Sequence, residues 1–254
     1  MQDAYVGDIG DYGKYGLLRA VTASGLRLSV NWYRTVLCEP EKKKREGSGE
    51  ARRQQEDGKY TSYLGQPKQY RHYDPELFDC LAELVQQERT IGAIQTSGIL
   101  TAQFFEDALT GADRQQWHQK ALHDTAGAEV VFLDPDNGLE SARMHRCGSA
   151  TDKHVTWEEV RDYYGRGQSV ILYHHRPQRM KKENCIRNLL DFQQSFLKSD
   201  QVFLLEYPRY TNRFFFIFSQ AAHQSVLEQV YRSVVQAWQG LCHPVDLSRL
   251  SREP

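Results

Sequence analysis

The chain has 254 residues, with 32 Lys+Arg against 33 Asp+Glu and a formal net charge of -1. That length suffices for a substantial core, and the balanced charge excludes a generally basic nucleic-acid binder while leaving a local basic face open. No apolar run reaches the roughly 18 residues of a membrane span, and residues 1–16 lack the basic-then-apolar layout of a secretion signal. The five cysteines, Cys38, Cys80, Cys147, Cys185 and Cys242, are scattered, with no CxxC pair. They read as free thiols in a reducing, cytoplasmic setting.

In chain order, a helical stretch from about Tyr12 to Ser24 closes at Gly25 and leads into a strand over Leu26–Tyr33. Residues 39–59 (EPEKKKREGSGEARRQQEDGK) are charged, glycine-bearing and nearly devoid of large apolar side chains. Such a segment cannot bury enough surface to offset its ordering entropy, so a mobile loop is predicted there. Asp74-Pro75 starts a helix running to about Arg89, with Asp as N-cap and Pro at the first helical position. Thr90–Gln95 reads as a weaker strand. Glu129–Leu133 and Gln168–Tyr173 read as strong ones, apolar enough to be covered on both faces as in a parallel sheet. Between them, Thr156-Trp-Glu-Glu159 is a capping box that opens a helix.

Residues 183–197 and 223–239 carry apolar spacings of three and four, which predict helices. Gln201–Glu206 and Asn212–Ser219 flank Tyr-Pro-Arg-Tyr-Thr and predict a hairpin, adding an antiparallel strand to an otherwise parallel sheet. The whole chain, 1–254, is thus expected to form a single α/β domain, a three-layer Rossmann-like sandwich. The aromatic residues Tyr12, Tyr15, Trp32, Tyr33 and the stripe Phe214–Phe218 are expected in its core.

In an open parallel sheet, ligands bind beyond the carboxyl ends of the strands. The residues there are Arg34 after the first strand, Asp134-Pro-Asp-Asn-Gly-Leu-Glu140 after the Glu129–Leu133 strand, and His174-His175-Arg176 after the Gln168–Tyr173 strand. If the last two strands are neighbours, about 5 Å separates them, and Asp134, Asp136 and the histidines share one pocket. Two carboxylates and two imidazoles can bind a divalent metal or act as acid and base. Asp-Pro-Asp-Asn-Gly is equally the composition of a tight turn. Arg176, Arg179, Lys181 and Lys182 form a basic cluster, either a solvated loop or a phosphate-binding edge. At the other end of the chain, Gly7-Asp-Ile-Gly-Asp-Tyr-Gly-Lys-Tyr-Gly16 lacks the Gly-Lys-Ser/Thr ending of a phosphate loop. Its glycines would still let the backbone approach a ligand beside Asp8, Asp11 and Lys14.

Phe132-Leu-Asp-Pro-Asp-Asn137 resembles the Asp/Asn-Pro-Pro-Tyr/Phe motif of class I methyltransferases that modify exocyclic amines. Gly10-Asp-Tyr-Gly-Lys-Tyr-Gly-Leu-Leu-Arg19 is similar to the start of bacterial ribosomal-RNA adenine methyltransferases, which place an Asp-x-x-Lys-His helix there. The closing hairpin matches the antiparallel last strand of that fold. The Phe-Leu-Asp-Pro-Asp-Asn-Gly string is also similar to a group of uncharacterised bacterial proteins. The methyltransferase resemblance implies S-adenosylmethionine as cofactor, a nucleic-acid amine as acceptor, and Asp134 as the residue that receives the amine. Asp136, Asn137 and His174 are the further catalytic candidates at the strand ends, although Asp136 and Asn137 replace the motif's second Pro and aromatic. In that reading Asp134 and the next carbonyl accept hydrogen bonds from the amine, while Asp8, Lys14, Tyr33 and Arg34 lie at the cofactor. Arg176, Arg179, Lys181 and Lys182 would meet the nucleic acid. The family's acidic-x-Gly-x-Gly loop is replaced by Tyr33-Arg-Thr-Val-Leu-Cys-Glu-Pro-Glu, which has no glycine. Two alternatives stand beside this reading. One is a metal-dependent hydrolase or nuclease with Asp134, Asp136 and His174 as ligands; the other is a non-catalytic Rossmann-like binding protein.

Overall fold

The computed structural model describes residues 3–35, 60–109, 113–177, 180–209 and 212–247. The loop expected at 39–59, with Cys38 and Arg179, lies outside these residues. Nine helices and nine strands are formed among them. The helices are α1 Ile9–Ala23, α2 Pro67–Tyr70, α3 Pro75–Gln87, α4 Ile91–Thr96, α5 Arg114–Asp124, α6 Ala142–Cys147, α7 Trp157–Gly165, α8 Lys182–Phe192 and α9 Gln224–Ala237. The strands are β1 Leu28–Asn31, β2 Gln103–Phe105, β3 Val130–Leu133, β4 Gly138–Leu139, β5 His154–Val155, β6 Ser169–His175, β7 Gln201–Tyr207, β8 Arg213–Ser219 and β9 His243–Pro244.

Seven strands make one sheet in the order β2-β1-β3-β6-β8-β7-β9. β2, β1, β3 and β6 pair in parallel, and β3 lies directly beside β6 with Leu133 opposite Leu172. The hairpin strand β8 pairs antiparallel with both β6 and β7, so it sits between them. The period-2 alternation of a strand divides the apolar side chains between two faces. Val30, Phe132, Ile171, Phe215 and Ile217 pack under α1, α3 and α9. Val131, Leu133, Leu172, Phe214 and Phe216 pack under α5, α7 and α8. These are the three layers expected. Phe214–Phe218 is wholly buried, as the sequence predicts, and burial of each such phenylalanine contributes about 1.5–3 kcal/mol.

Local chemistry explains several boundaries. Asp74 caps α3 by accepting from the Leu77 N–H, with Pro75 next. Thr156 and Glu159 form the expected reciprocal capping box. Gly25 closes the turn after α1 at φ +90°. Thr90–Gln95, expected as a strand, is instead the helix α4, with Thr90 as its N-cap accepting from the Ala93 N–H. A short apolar run does not separate strand from helix by periodicity; the cap decides it. The parallel edge strand is β2, a three-residue piece the sequence reading does not contain.

α1 begins at Ile9, three residues earlier than expected, with Asp8 as N-cap. Its glycines therefore lie on a helix and serve packing. A Cβ on Gly10 would fall 2.3 Å from the Arg213 guanidinium, on Gly13 2.4 Å from the Tyr207 ring, and on Gly16 2.1 Å from the Trp238 indole. Spacing by three places these bare positions along one side of α1. That side lets the helix lie close to the hairpin and the end of α9.

Candidate active site

The carboxyl edge of β1, β3 and β6 holds a buried ionic cluster assembled from three distant segments. Asp8 and Asp11 come from the first turn of α1 and Lys14 from the next. Asp134 follows β3, and Arg213 opens β8. Lys14 Nζ lies 2.8 Å from Asp11 Oδ1 and 2.8 Å from Asp134 Oδ2. Arg213 Nη2 donates to Asp8 Oδ2 at 2.7 Å. Asp11 also accepts from the Gly7 N–H and the Tyr15 hydroxyl, both at 3.1 Å. The Lys14 ammonium lies 5.6 Å from the centre of the Tyr173 ring. All five charged residues are at most 8% exposed.

Burial sets the electrostatics of this cluster. It pushes the Asp11 carboxyl up to about 6, with Lys14 pulling it down and Asp8 adding to the rise. Burial also works against the Lys14 charge, but Asp11 and then Asp134 outweigh it and hold the ammonium above its ordinary range. Lys14 stays charged and fixes Asp134 in one orientation.

On the other face of the sheet, His174 follows a different logic. Tyr173 faces Lys14 and the α1 side, so the next residue turns to the α8 side, where the His174 ring meets Phe216 edge-on. The Leu139 N–H donates to His174 Nδ1 at 3.1 Å. Gly138 makes that contact possible, at φ +99° and with no room for a Cβ, which would fall 2.3 Å from Nδ1. Burial, then the neighbouring His175 and His154, drives the His174 pKa down to about 3. The ring is therefore neutral, and with Nδ1 accepting, its proton resides on Nε2.

The structure sets Asp134 against Lys14 and His174 against Leu139. Asp134 turns to the α1 face and His174 to the α8 face, on either side of the Asp134–Gly138 loop. Alternation along β6 carries that information, since Leu172 and His174 share a face. A metal held jointly by Asp134 and His174 does not fit this arrangement. The Nε2 proton also occupies the nitrogen that a metal would need.

The remaining expected residues are placed as follows. Asp136 is half-buried and Asn137 exposed, in the loop between the two faces. The Tyr33 side chain is buried, its hydroxyl on Glu159 at 3.2 Å and its ring centre 4.9 Å from that of Trp117. Arg34 is half-buried, and its carbonyl accepts from the Leu109 N–H at 2.7 Å. Lys182 pairs with Glu206. Arg176 is half-buried and Lys181 exposed at the start of α8. The sequence marks Asp11 as a charge near the glycines, but carries no local signal for Arg213. The spacing Asp8, Asp11, Lys14 is the available signal, since steps of three share one helix side.

A cavity of about 440 Å³ opens on the α8 face. Its walls include Asn137, Leu139, Met144, His174, Met180 and Asn188. Beside it, Glu140, His145 and Glu158 bring one ligand atom each to within 4.8 Å of one another. Glu140 Oε1 there accepts from the Trp157 N–H at 2.9 Å, and the His145 ring stacks on Trp157.

No protein-family model matches the chain, and no curated protein matches it. Among the described residues, no helix is long and apolar enough to cross a membrane.

Proposed function

We propose that this chain is a methyltransferase-like enzyme whose acceptor is an exocyclic amine carried by nucleic acid. The observation that carries the reading is the ion pair between Lys14 and Asp134, 2.8 Å long and spanning 120 residues of sequence. It joins the two segments on which the resemblance rests, the Asp11-x-x-Lys14 turn and the Asp134-Pro135 pair, at the sheet edge where α/β folds bind ligands. The reversed strand β8 supports it too, being the antiparallel closing strand that the resemblance implies.

In this reading Asp134 accepts a hydrogen bond from the amine and orients its lone pair. Lys14 holds one carboxylate oxygen of Asp134 at 2.8 Å, and a carboxylate acts only as an acceptor. The acceptor half of the site thus fits. The donor half does not follow the family. Trp32–Thr35 contains no glycine, and Tyr33 is packed against Trp117 rather than bordering a cradle. S-adenosylmethionine therefore requires a site of different build, and neither Tyr33 nor the paired Asp8 and Lys14 is assigned to it.

The test is calorimetric titration of the full chain with S-adenosylmethionine, followed by methyl-transfer assays on RNA and DNA. Micromolar binding, about -8 kcal/mol, with transfer abolished by Asp134→Asn, is expected. Absence of binding, or undiminished transfer by Asp134→Ala, overturns the reading.

A further inference from the structure

The cavity on the α8 face is bordered by Asn137, in the loop that follows Asp134, and its walls have a definite chemistry. At about 440 Å³ it is within the range of small-molecule sites. Leu139, Met144, Met180 and Leu189 give it apolar surfaces, and thioethers make favourable contacts with aromatic rings. Its polar groups are mostly uncharged. His174 offers Nε2–H from a ring that stays neutral, because Nδ1 already accepts from Leu139. The amides of Asn137 and Asn188 each offer a donor and an acceptor. Glu140 is the carboxylate in the wall, and its Oε1 is engaged by the Trp157 N–H.

A fixed neutral donor, two amides and flexible thioether walls suit a flat, uncharged heteroaromatic ring better than an ion or an aliphatic acid. A shallower groove of about 750 Å³ adjoins the cavity, with Pro177, Met180 and Asn188 bordering both. That groove adds Lys181, Asn184 and Arg187, cationic and amide groups of the kind that meet sugar and phosphate.

We infer that this cavity receives a flat, uncharged nucleobase at a site apart from Asp134, which faces the other side of the sheet, with the adjoining sugar and phosphate lying along the Lys181 groove. Base binding here goes beyond the proposed function and does not depend on methyl transfer at Asp134. The amide edges of Asn137 and Asn188 would read the base, and Met144 and Met180 would cover its faces.

Two variants test it in the full chain. Met180→Trp fills the cavity, and Asn188→Leu removes an amide from an exposed position where folding is not at stake. The probes are adenosine, cytidine, short single-stranded RNAs containing each base, and S-adenosylmethionine, all by calorimetry. At least one base-bearing probe is expected to bind, tenfold or more weaker in both variants, while S-adenosylmethionine binding is unchanged. Tighter binding of the RNAs than of the nucleosides places the base in a polynucleotide, and the reverse places it in a free nucleoside.

Failure of every base-bearing probe to bind, or binding indifferent to both variants, overturns the assignment. Loss of S-adenosylmethionine in step with the nucleosides also overturns it, because the cavity would then hold the donor's adenosine. Nucleoside binding without any S-adenosylmethionine binding leaves the cavity assignment standing and removes the methyltransferase reading instead.

Discussion

Replacing Lys14 by methionine keeps an unbranched chain of similar reach and removes the ammonium that Asp11 and Asp134 share. Both carboxylates have side chains at most 4% exposed, so water does not replace the lost partner. Removing one member of a buried ion pair costs about 3–5 kcal/mol. Two effects reduce that figure. Methionine has no charge to desolvate, and Asp11, already raised to about 6, can take up a proton. At pH 8 that uptake costs at most about 3 kcal/mol, from two pH units at 1.36 kcal/mol each, because losing Lys14 removes the pull that lowers the Asp11 pKa and so raises it further. The expected loss for Lys14→Met is therefore about 2–3 kcal/mol at pH 8, a large share of the 5–15 kcal/mol typical of a folded protein. It should narrow at pH 5, where protonation of Asp11 is cheap. Urea unfolding at the two pH values measures it. The double variant Lys14→Met/Asp134→Asn should recover about 1–2 kcal/mol of the pH 8 loss, since one stranded charge is gone. A loss below about 1 kcal/mol at pH 8, or one equal at both pH values, would refute the account of a dry ionic cluster.

Two further outcomes follow from the same face of the molecule. The folded state binds the Asp11 proton more tightly than the unfolded chain does, since the pKa is about 6 against 3.8. Stability should therefore fall as pH rises from about 4 to about 6, by about 3 kcal/mol from this group, and then level. Asp11→Asn should flatten that decline in melting experiments across the window; an unchanged slope would assign it to other groups. Gly16→Ala should destabilise by about 2 kcal/mol despite the better helix propensity, because its Cβ would sit 2.1 Å from the Trp238 ring. Gly92→Ala in α4, where the nearest atom is 3.8 Å away, should be neutral or stabilising, and the pair compared by chemical denaturation separates overpacking from propensity.

The layers of the fold were legible because their signals are local. Asp74-Pro75, the Thr156/Glu159 box and the apolar runs of β3 and β6 each state an element within a few residues. The errors fall where the local signal is ambiguous or too small. Thr90–Gln95 has the apolar content of a strand, and only Thr90 as a cap marks it as helix. β2 is three residues long and carries no alternation to detect. The glycines of α1 read from sequence as room for a ligand, whereas their purpose is set by Arg213, Tyr207 and Trp238, about 190 to 220 residues further on. In the candidate site, Asp134 and Lys14 could each be marked from sequence, but their pairing follows from the sheet order. The separation of His174 from Asp134 was in principle readable from alternation along β6. The acceptance by His174 Nδ1 was not, because it depends on the path of the chain through Gly138.

The position of β8 has a consequence for the order of assembly. The strand that separates β6 from β7 is translated after both, and its first residue, Arg213, closes an ion pair with Asp8 across 205 positions. A nascent chain that has emerged only to β7 exposes an unpaired edge on each side of the gap that β8 will fill, and the Asp8 carboxylate still lacks its guanidinium. The earliest part of the candidate site to be synthesised is thus completed by one of the last. The α1 turn can be fully built only when the hairpin has left the ribosome and folded back into the middle of the sheet, a long-range closure of the kind that slows folding.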